Sequence, residues 1–144
     1  MDILFLHNMP WIHLIAAAAV MFVIVGLWIL LLQKWNPSLG TMDAPDATAC
    51  LRGSCGDAMQ ISLRFKDGRV VDAKYWTDGC RFSNDCGAAA ARLALDRTPE
   101  EIADIDYRAI TAEVGGLPEE DLHCATLAAG TLQESLRIYF SGNQ

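Results

Sequence analysis

Read from its N-terminus, the chain opens on a long apolar run. Residues 11–32 contain no Asp, Glu, Lys or Arg, and His13 is their one strongly polar member. At about 1.5 Å rise per residue such a run reaches roughly 33 Å, enough for a hydrocarbon core of about 30 Å. It therefore reads as a transmembrane helix; the buried helix of a soluble core rarely extends so far without a charge. A cleaved signal peptide would need a basic leading segment and a small-residue cleavage site. Residues 1–10 hold Asp2 and no Lys or Arg, and the run stops on Gln33, Lys34 and Trp35, so cleavage is not expected. Trp11, Trp28 and Trp35 fall towards its two ends, where indole rings anchor at a membrane interface.

Residues 34–46 lose all apolar periodicity and are rich in Pro, Gly, Asn and Asp, the composition of a linker or loosely ordered arm. A period of two then sets in. Met59, Ile61, Leu63 and Phe65 alternate with Gln60, Ser62 and Arg64, which predicts a strand with one buried face. Asp67-Gly68 is a tight-turn signal, and residues 70–77 read as the returning strand, with Val71, Ala73 and Tyr75 on one face. A third short strand over 48–52 is expected to pair beside this hairpin.

After Gly79 the pattern becomes helical. Residues 86–95 are Ala-rich, with Asn84 or Asp85 as the expected cap. Thr98-Pro99-Glu100-Glu101 has the order of a capping box with Pro in the first turn. Residues 106–114 form a short helix closed by Gly115-Gly116. Residues 122–140 form the longest helix of this part, with Leu127, Leu132, Leu136 and Tyr139 or Phe140 along one face. The expected fold is α+β: a small antiparallel three-stranded sheet packed by helices, preceded by one transmembrane α-helix. The expected divisions are 1–33 for a short tail and the helix, 34–46 for the arm, and 47–144 for the folded domain.

Charge narrows the partners. The chain has 144 residues and a net charge of −7, and all eleven Lys and Arg lie at or after Lys34. The positive-inside rule then places the C-terminal domain in the cytoplasm of a single-pass membrane protein. With seventeen acids against those eleven bases after the helix, and no basic stripe, nucleic-acid binding is not expected. Polybasic attraction to anionic lipid is likewise absent, which leaves the helix as the membrane attachment. Five cysteines, an odd number, suggest no disulfide framework and agree with a reducing compartment.

Cys55 falls in a loop before a strand, Cys80 just after the hairpin, and Cys124 at the start of the last helix. Helix N-termini lower thiol pKa and favour thiolate, the form that binds metal and attacks sulfur. The glycines beside Cys55 and Cys80 let the backbone approach a bulky ligand. The spacings, 25 and then 44 residues, match no zinc-finger pattern. On spacing alone, each of these residues reads equally well as a small buried apolar side chain.

Their neighbours change that. Cys55-Gly56-Asp57, Thr77-Asp78-Gly79-Cys80 and Leu117-Pro118 with Leu122-His123-Cys124 closely resemble the U-type iron–sulfur cluster assembly scaffolds, the IscU and NifU N-terminal family. Asn36-Pro37 with Gly40, Asp67-Gly68 and Thr98-Pro99-Glu100-Glu101 extend the resemblance over most of residues 36–139. It implies a scaffold and carrier rather than a turnover enzyme, on which iron and sulfur from a cysteine desulfurase form a [2Fe–2S] cluster, with [4Fe–4S] the other cluster type, for transfer to apo Fe–S client proteins. Cys55, Cys80 and Cys124 match the cluster-ligand cysteines, and Cys124 also matches the persulfide acceptor. Asp57 matches the aspartate that serves as a fourth ligand and keeps the cluster labile. His123 matches an alternative fourth ligand. One carboxylate or imidazole among thiolates leaves an exchangeable corner, which suits a scaffold that gives its cluster away.

Three departures qualify the resemblance. A Leu-Pro-Pro-Val-Lys stretch, by which such scaffolds meet a dedicated Hsp70-type chaperone, is here Leu117-Pro118-Glu119-Glu120-Asp121, so recognition by that chaperone is doubtful; the acids suit a helix start instead. Cys86 is an extra thiol, either an accessory ligand or sulfur relay or a small buried residue of an Ala-rich helix; Cys50 is taken as structural. The N-terminal helix is foreign to most such scaffolds and implies assembly near membrane-bound clients. Two other readings remain open. One is a zinc-binding, SufU-like sulfur-transfer protein using Cys55, Asp57, Cys80 and Cys124, with zinc in the cluster-free state. The other is a non-catalytic membrane adaptor that keeps the fold alone.

Overall fold

The computed structural model describes residues 10–35 and 40–142. The chain divides into two compact units, Met1–Trp35 and Asn36–Gln144. The segment before Pro10 and the Asn36-Pro37 pair of the expected arm lie outside the described residues.

The first unit is a single helix, α1 (Pro10–Trp35). Proline suits its first position, where a backbone N–H would have no helical partner. The stretch His13–Leu31 is long and apolar enough to cross a membrane, by length and composition. Its large side chains are exposed, Leu14 at 70% and Phe22 at 80%. That distinguishes it from the buried helix of a soluble core. The side chains of residues 32–35, which include the expected interfacial stop, are outside the described set.

The second unit begins with three antiparallel strands, β1 (Ala47–Arg52), β2 (Ala58–Lys66) and β3 (Arg69–Thr77), in the order β1-β2-β3. Helices α2 (Arg81–Ala94), α3 (Pro99–Ala103), α4 (Tyr107–Glu113), a 3-10 turn (Glu119–Asp121) and α5 (Leu122–Gly142) follow. The hairpin between β2 and β3 turns on Asp67 and Gly68, both at positive φ (53° and 76°), as the I′ turn favoured by Asp-Gly requires. Met59, Ile61 and Leu63 point into the core with no exposure, as the alternation predicts.

The expected facing of β3 needs one correction. Arg64 pairs with Asp72 but Phe65 pairs with Val70, so Val71 is an unpaired extra residue, a β-bulge. The bulge turns Val71 out, 51% exposed, and brings Val70 in at 1%. Ala73 and Tyr75 keep their inward facing. The outer edge of β3 is also covered: Val70 N–H donates to Arg97 C=O, Asp96 N–H donates to Val70 C=O, and Gly40 N–H donates to Tyr75 C=O. Such cover protects an edge strand from pairing with another chain.

The arm is more ordered than its composition suggests. From Gly40, bonded to β3, it returns to β1, where Asp46 N–H donates to Leu63 C=O at 3.0 Å and the Asp46 carboxylate accepts from Phe65 N–H at 2.6 Å. Arg64 donates to the Asp43 carbonyl on the way, and Met42 is buried.

The helices cover one side of the sheet. On α2 the buried face is almost all small residues, among them Ser83, Cys86, Gly87, Ala90 and Ala94, which lets the helix lie close to β3. On α5 the buried face includes Cys124, Ala128, Leu132 and Leu136. Tyr139 stacks on Phe65 with ring centroids 3.9 Å apart, while Phe140 points outward at 48% exposure. Thr98 and Glu101 complete the expected capping box of α3, and Asp106 caps α4. The second correction concerns α2. It begins at Arg81, five residues before the expected start, with Cys80 and not Asn84 or Asp85 at its N-cap.

Candidate metal centre

Antiparallel pairing sets the site. β2 starts where β3 ends, so the loop after β1 and the loop before α2 lie side by side. The Asp78 carboxylate accepts from Ala58 N–H at 2.6 Å, Thr77 Oγ1 donates to Ala58 C=O at 2.7 Å, and Gly79 N–H donates to Thr77 Oγ1 at 3.1 Å. The loop bearing Cys55 is a tight turn: Gly53 N–H donates to Asp57 C=O at 2.8 Å and Gly56 N–H to Gly53 C=O at 3.0 Å. Gly56 has φ +93°, in the region glycine favours. The Arg52 guanidinium donates to the Gly56 carbonyl and fastens this turn.

Asp57 closes the gap between the two loops. The N-cap of α2, Cys80, provides no side-chain cap of its own. Asp57 does so from across the site. Its Oδ2 accepts the Ser83 hydroxyl at 2.6 Å and Cys80 N–H at 3.4 Å, in the field of the helix N-terminus. Gly79 makes the approach possible, because a Cβ there would collide with Asp57 Oδ2 and stand 2.7 Å from Ser83 Cβ. Ser83 is fully buried. Its Oγ lies 3.4 Å from Cys124 Sγ and 3.8 Å from Cys80 Sγ, so one hydroxyl touches three of the expected ligands.

His123 and Cys124 enter from the first turn of α5. His123 Nδ1 is 2.7 Å from the Glu120 carbonyl. A carbonyl only accepts, so Nδ1 carries the proton, and the other ring nitrogen is left as an acceptor. That Nε2 stands 3.5 Å from Cys124 Sγ. The structure thus brings together Asp57, Cys80, His123 and Cys124, and the exposed Cys55 thiol lies near enough to Asp57 to help lower its carboxyl pKa. Cys86 is fully buried in the same hydrophobic core as Cys124, and the nearby Cys124 and Cys80 thiols add to the burial that disfavours its thiolate. Cys50 is exposed on β1.

Electrostatics divide the thiols. The Ser83 backbone N–H, with the Phe82 N–H, holds the Cys80 thiol below its ordinary value. Burial pushes the Cys124 thiol up to about 11 and the Cys86 thiol up to about 12. The expectation that a helix start favours the thiolate at Cys124 therefore fails, because desolvation there dominates; the thiol at a helix start that is lowered is Cys80, which the structure places at the N-cap of α2. The Ser83 hydroxyl, with Cys80 N–H and the Cys55 thiol, keeps Asp57 below the usual carboxylate value. With its pKa lowered, Cys80 becomes thiolate at a lower pH than Cys124. Brief iodoacetamide labelling of metal-free protein at neutral pH should modify Cys80 well before Cys124, with Cys124 catching up as the pH nears about 11. Peptide mass spectrometry across the pH range checks this, and Cys124 labelling first would overturn the burial argument.

Thiolates with one carboxylate and one imidazole suit iron or zinc. Among the described residues, no three His, Cys, Asp or Glu side chains yet converge on one ion position. The Ser83 hydroxyl sits among them instead. Sequence reading missed Ser83 because it began α2 at residue 86. Once Cys80 is the cap, the three-residue step from Cys80 to Ser83 puts both at the same helix end. A cleft of about 510 Å³ between α4 and the start of α5, lined by Tyr107, Arg108 and Leu122 among others, contains no Cys, His or acid and lies apart from this chemistry.

A family model described as the NifU-like N terminal domain matches residues 35–144. The Archaeoglobus fulgidus iron-sulfur cluster assembly scaffold protein IscU 1 is 37% identical over 89 residues, 62% of this chain and 58% of that protein. The chain thus matches less than two thirds of that relative's length. The iron-sulfur cluster assembly scaffold protein IscU of Azotobacter vinelandii is 32% identical over 110 residues, 72% of this chain and 85% of that protein. The crystal structure of a nitrogen-fixing NifU-like protein (N-terminal) from Brucella abortus superposes with a TM-score of 0.59 at 20% identity, covering 72% of this chain and 85% of that one. That last likeness speaks for the fold.

Proposed function

The chain belongs to the NifU-like N-terminal domain family, and on that premise we propose that its folded unit is a scaffold for assembling a [2Fe–2S] cluster. Iron and desulfurase-derived sulfur are its substrates, and the finished cluster is cargo for apo-proteins. The observation that carries the reading is the gathering of Asp57, Cys80 and Cys124 around one buried hydroxyl at the starts of α2 and α5. Sulfur arrives when the Cys124 thiolate attacks the outer sulfur of the donor's persulfide. A new S–S bond forms on Cys124, and the donor cysteine leaves as thiolate. Reducing that sulfur to sulfide takes two electrons, supplied by an external electron donor. Because burial raises the Cys124 pKa, docking of the sulfur donor must uncover or deprotonate it. Cys55, Cys80 and Cys124 then hold the cluster, with Asp57 or His123 at the exchangeable corner.

We also propose that α1 is a membrane anchor that keeps the domain on the cytoplasmic face, near membrane-bound clients. Its apolar length and the placement of every Lys and Arg at its C-terminal end or beyond, from Lys34 on, support this. Anaerobic incubation with iron, cysteine and a desulfurase should give the visible absorption of a cluster. A colourless protein with stoichiometric zinc overturns the scaffold and favours zinc-dependent sulfur transfer. In cells, the full chain should resist carbonate extraction from membranes, and a chain lacking residues 1–35 should be soluble. Release of the full chain by carbonate would sink the anchor alone.

A further inference from the structure

Ser83 has no part in the ligand set, yet it is the atom around which that set is arranged. A serine hydroxyl has one proton, and the 2.6 Å contact to Asp57 Oδ2 takes it. Its oxygen then faces Cys124 Sγ at 3.4 Å and Cys80 Sγ at 3.8 Å. Asp57 is held on one side by this hydroxyl and by Cys80 N–H, and on the other by the bare Cα of Gly79, which alone leaves space for the carboxylate. To ligate an ion, Asp57 must bring an oxygen within about 2.0–2.2 Å of it. While Oδ2 is bonded to Ser83 and Cys80, only Oδ1 is left to do so. In this seat, among the described residues, the carboxylate does not converge with two other candidate ligands on one ion position, so ligation requires it to move.

We propose that Ser83 is a positioning residue, a latch that seats Asp57 as the trans cap of α2 in the empty site and so competes with its service as a ligand. This rests on the reading of Asp57, Cys80 and Cys124 as ligands. The latch gives the empty scaffold a closed state with the carboxylate satisfied, and it makes entry of the fourth ligand a switch between two partners, a hydroxyl and a metal. Losing the latch favours the loaded state, because only the empty state contains it.

Co²⁺ binding to the metal-free full-length protein in detergent, followed by thiolate-to-cobalt charge-transfer absorption, tests this. Ser83→Ala should bind Co²⁺ about tenfold more tightly, the size expected when the competing state loses one charge-assisted hydrogen bond. Gly79→Ala, which evicts Asp57 sterically, should shift affinity in the same direction. In an Asp57→Ala background, Ser83→Ala should change affinity less than about twofold, a loss of coupling that a merely structural role would not produce. Unchanged or weaker Co²⁺ binding by Ser83→Ala, or a gain that survives without Asp57, overturns the latch and leaves the ligand reading intact. Failure of the unsubstituted protein to bind Co²⁺ through thiolates overturns the ligand reading, and the latch with it.

Discussion

Cys124→Ser protein is expected to remain colourless under anaerobic assembly conditions in which the unsubstituted protein develops cluster absorption, a loss of at least about tenfold. The change is nearly isosteric, so the fold should survive it. What is lost is chemical. A serine hydroxyl stays protonated at neutral pH and offers iron a hard oxygen in place of a soft thiolate, and it has no sulfur with which to accept a persulfide. Cys124 is fully buried in the first turn of α5, so a serine there can use the hydrogen bond to Ser83 and leave no orphaned hydroxyl. Circular dichroism and thermal melting should therefore move little while the cluster bands vanish. Cys86→Ala is the informative contrast. Its thiol lies in the core and is pushed up to about 12, so its removal should cost stability at most and leave cluster absorption in place. Loss of the cluster in Cys86→Ala would instead give Cys86 the accessory-ligand role.

Much of this was readable along the chain, because the informative signals were local. The period of two in β2, the Asp67-Gly68 turn and the Thr98 capping box each depend on neighbours within a few residues, and each appears as read, except that Ser62 on the polar face of β2 is buried, bonded to Thr48. The misreadings share a cause: they were settled by contacts between distant segments. The bulge at Val71 follows from registering β3 against β2, and no pattern within β3 alone announces it. The early start of α2 follows from Asp57, 23 residues before the Cys80 cap, which supplies the missing side-chain acceptor. Without that acceptor Cys80 is a poor cap, so the local signal pointed to Asn84 or Asp85. The order in residues 40–46 likewise comes from hydrogen bonds to β2 and β3. At the site, the ligand candidates were legible from short motifs. Their hub, Ser83, and the opposed environments of Cys80 and Cys124 were not, because burial is a tertiary property.

The small residues of α2 lead to the second large effect. Gly87→Ala is a helix-interior substitution that propensity alone would make stabilising by about 1 kcal/mol. Here the outcome should reverse. A Cβ at this position would stand 2.6 Å from Tyr75 Cδ2, with two further ring atoms at 3.2 and 3.3 Å. The ring cannot easily move aside: Tyr75 is 6% exposed, and its hydroxyl donates to Asn84 Oδ1 at 3.2 Å, one turn earlier on the same helix. Either α2 lifts from the sheet or the phenol loses its partner. Overpacking costs about 1–3 kcal/mol and a lost hydrogen bond roughly another 1 kcal/mol, which together exceed the propensity gain. At about 4–8 °C per kcal/mol for a domain of this size, Tm should fall by roughly 5–15 °C. Trimming the obstacle should repair the damage: Gly87→Ala with Tyr75→Val should melt higher than the sum of the two single changes allows, since each relieves the other's defect. Because α2 carries Cys80 and Ser83 at its first turn, a helix lifted by even about 1 Å also carries the Asp57 seat with it. The single variant should therefore bind Co²⁺ differently as well as melt lower, and a Tm that rises instead would show that the sheet yields to the helix.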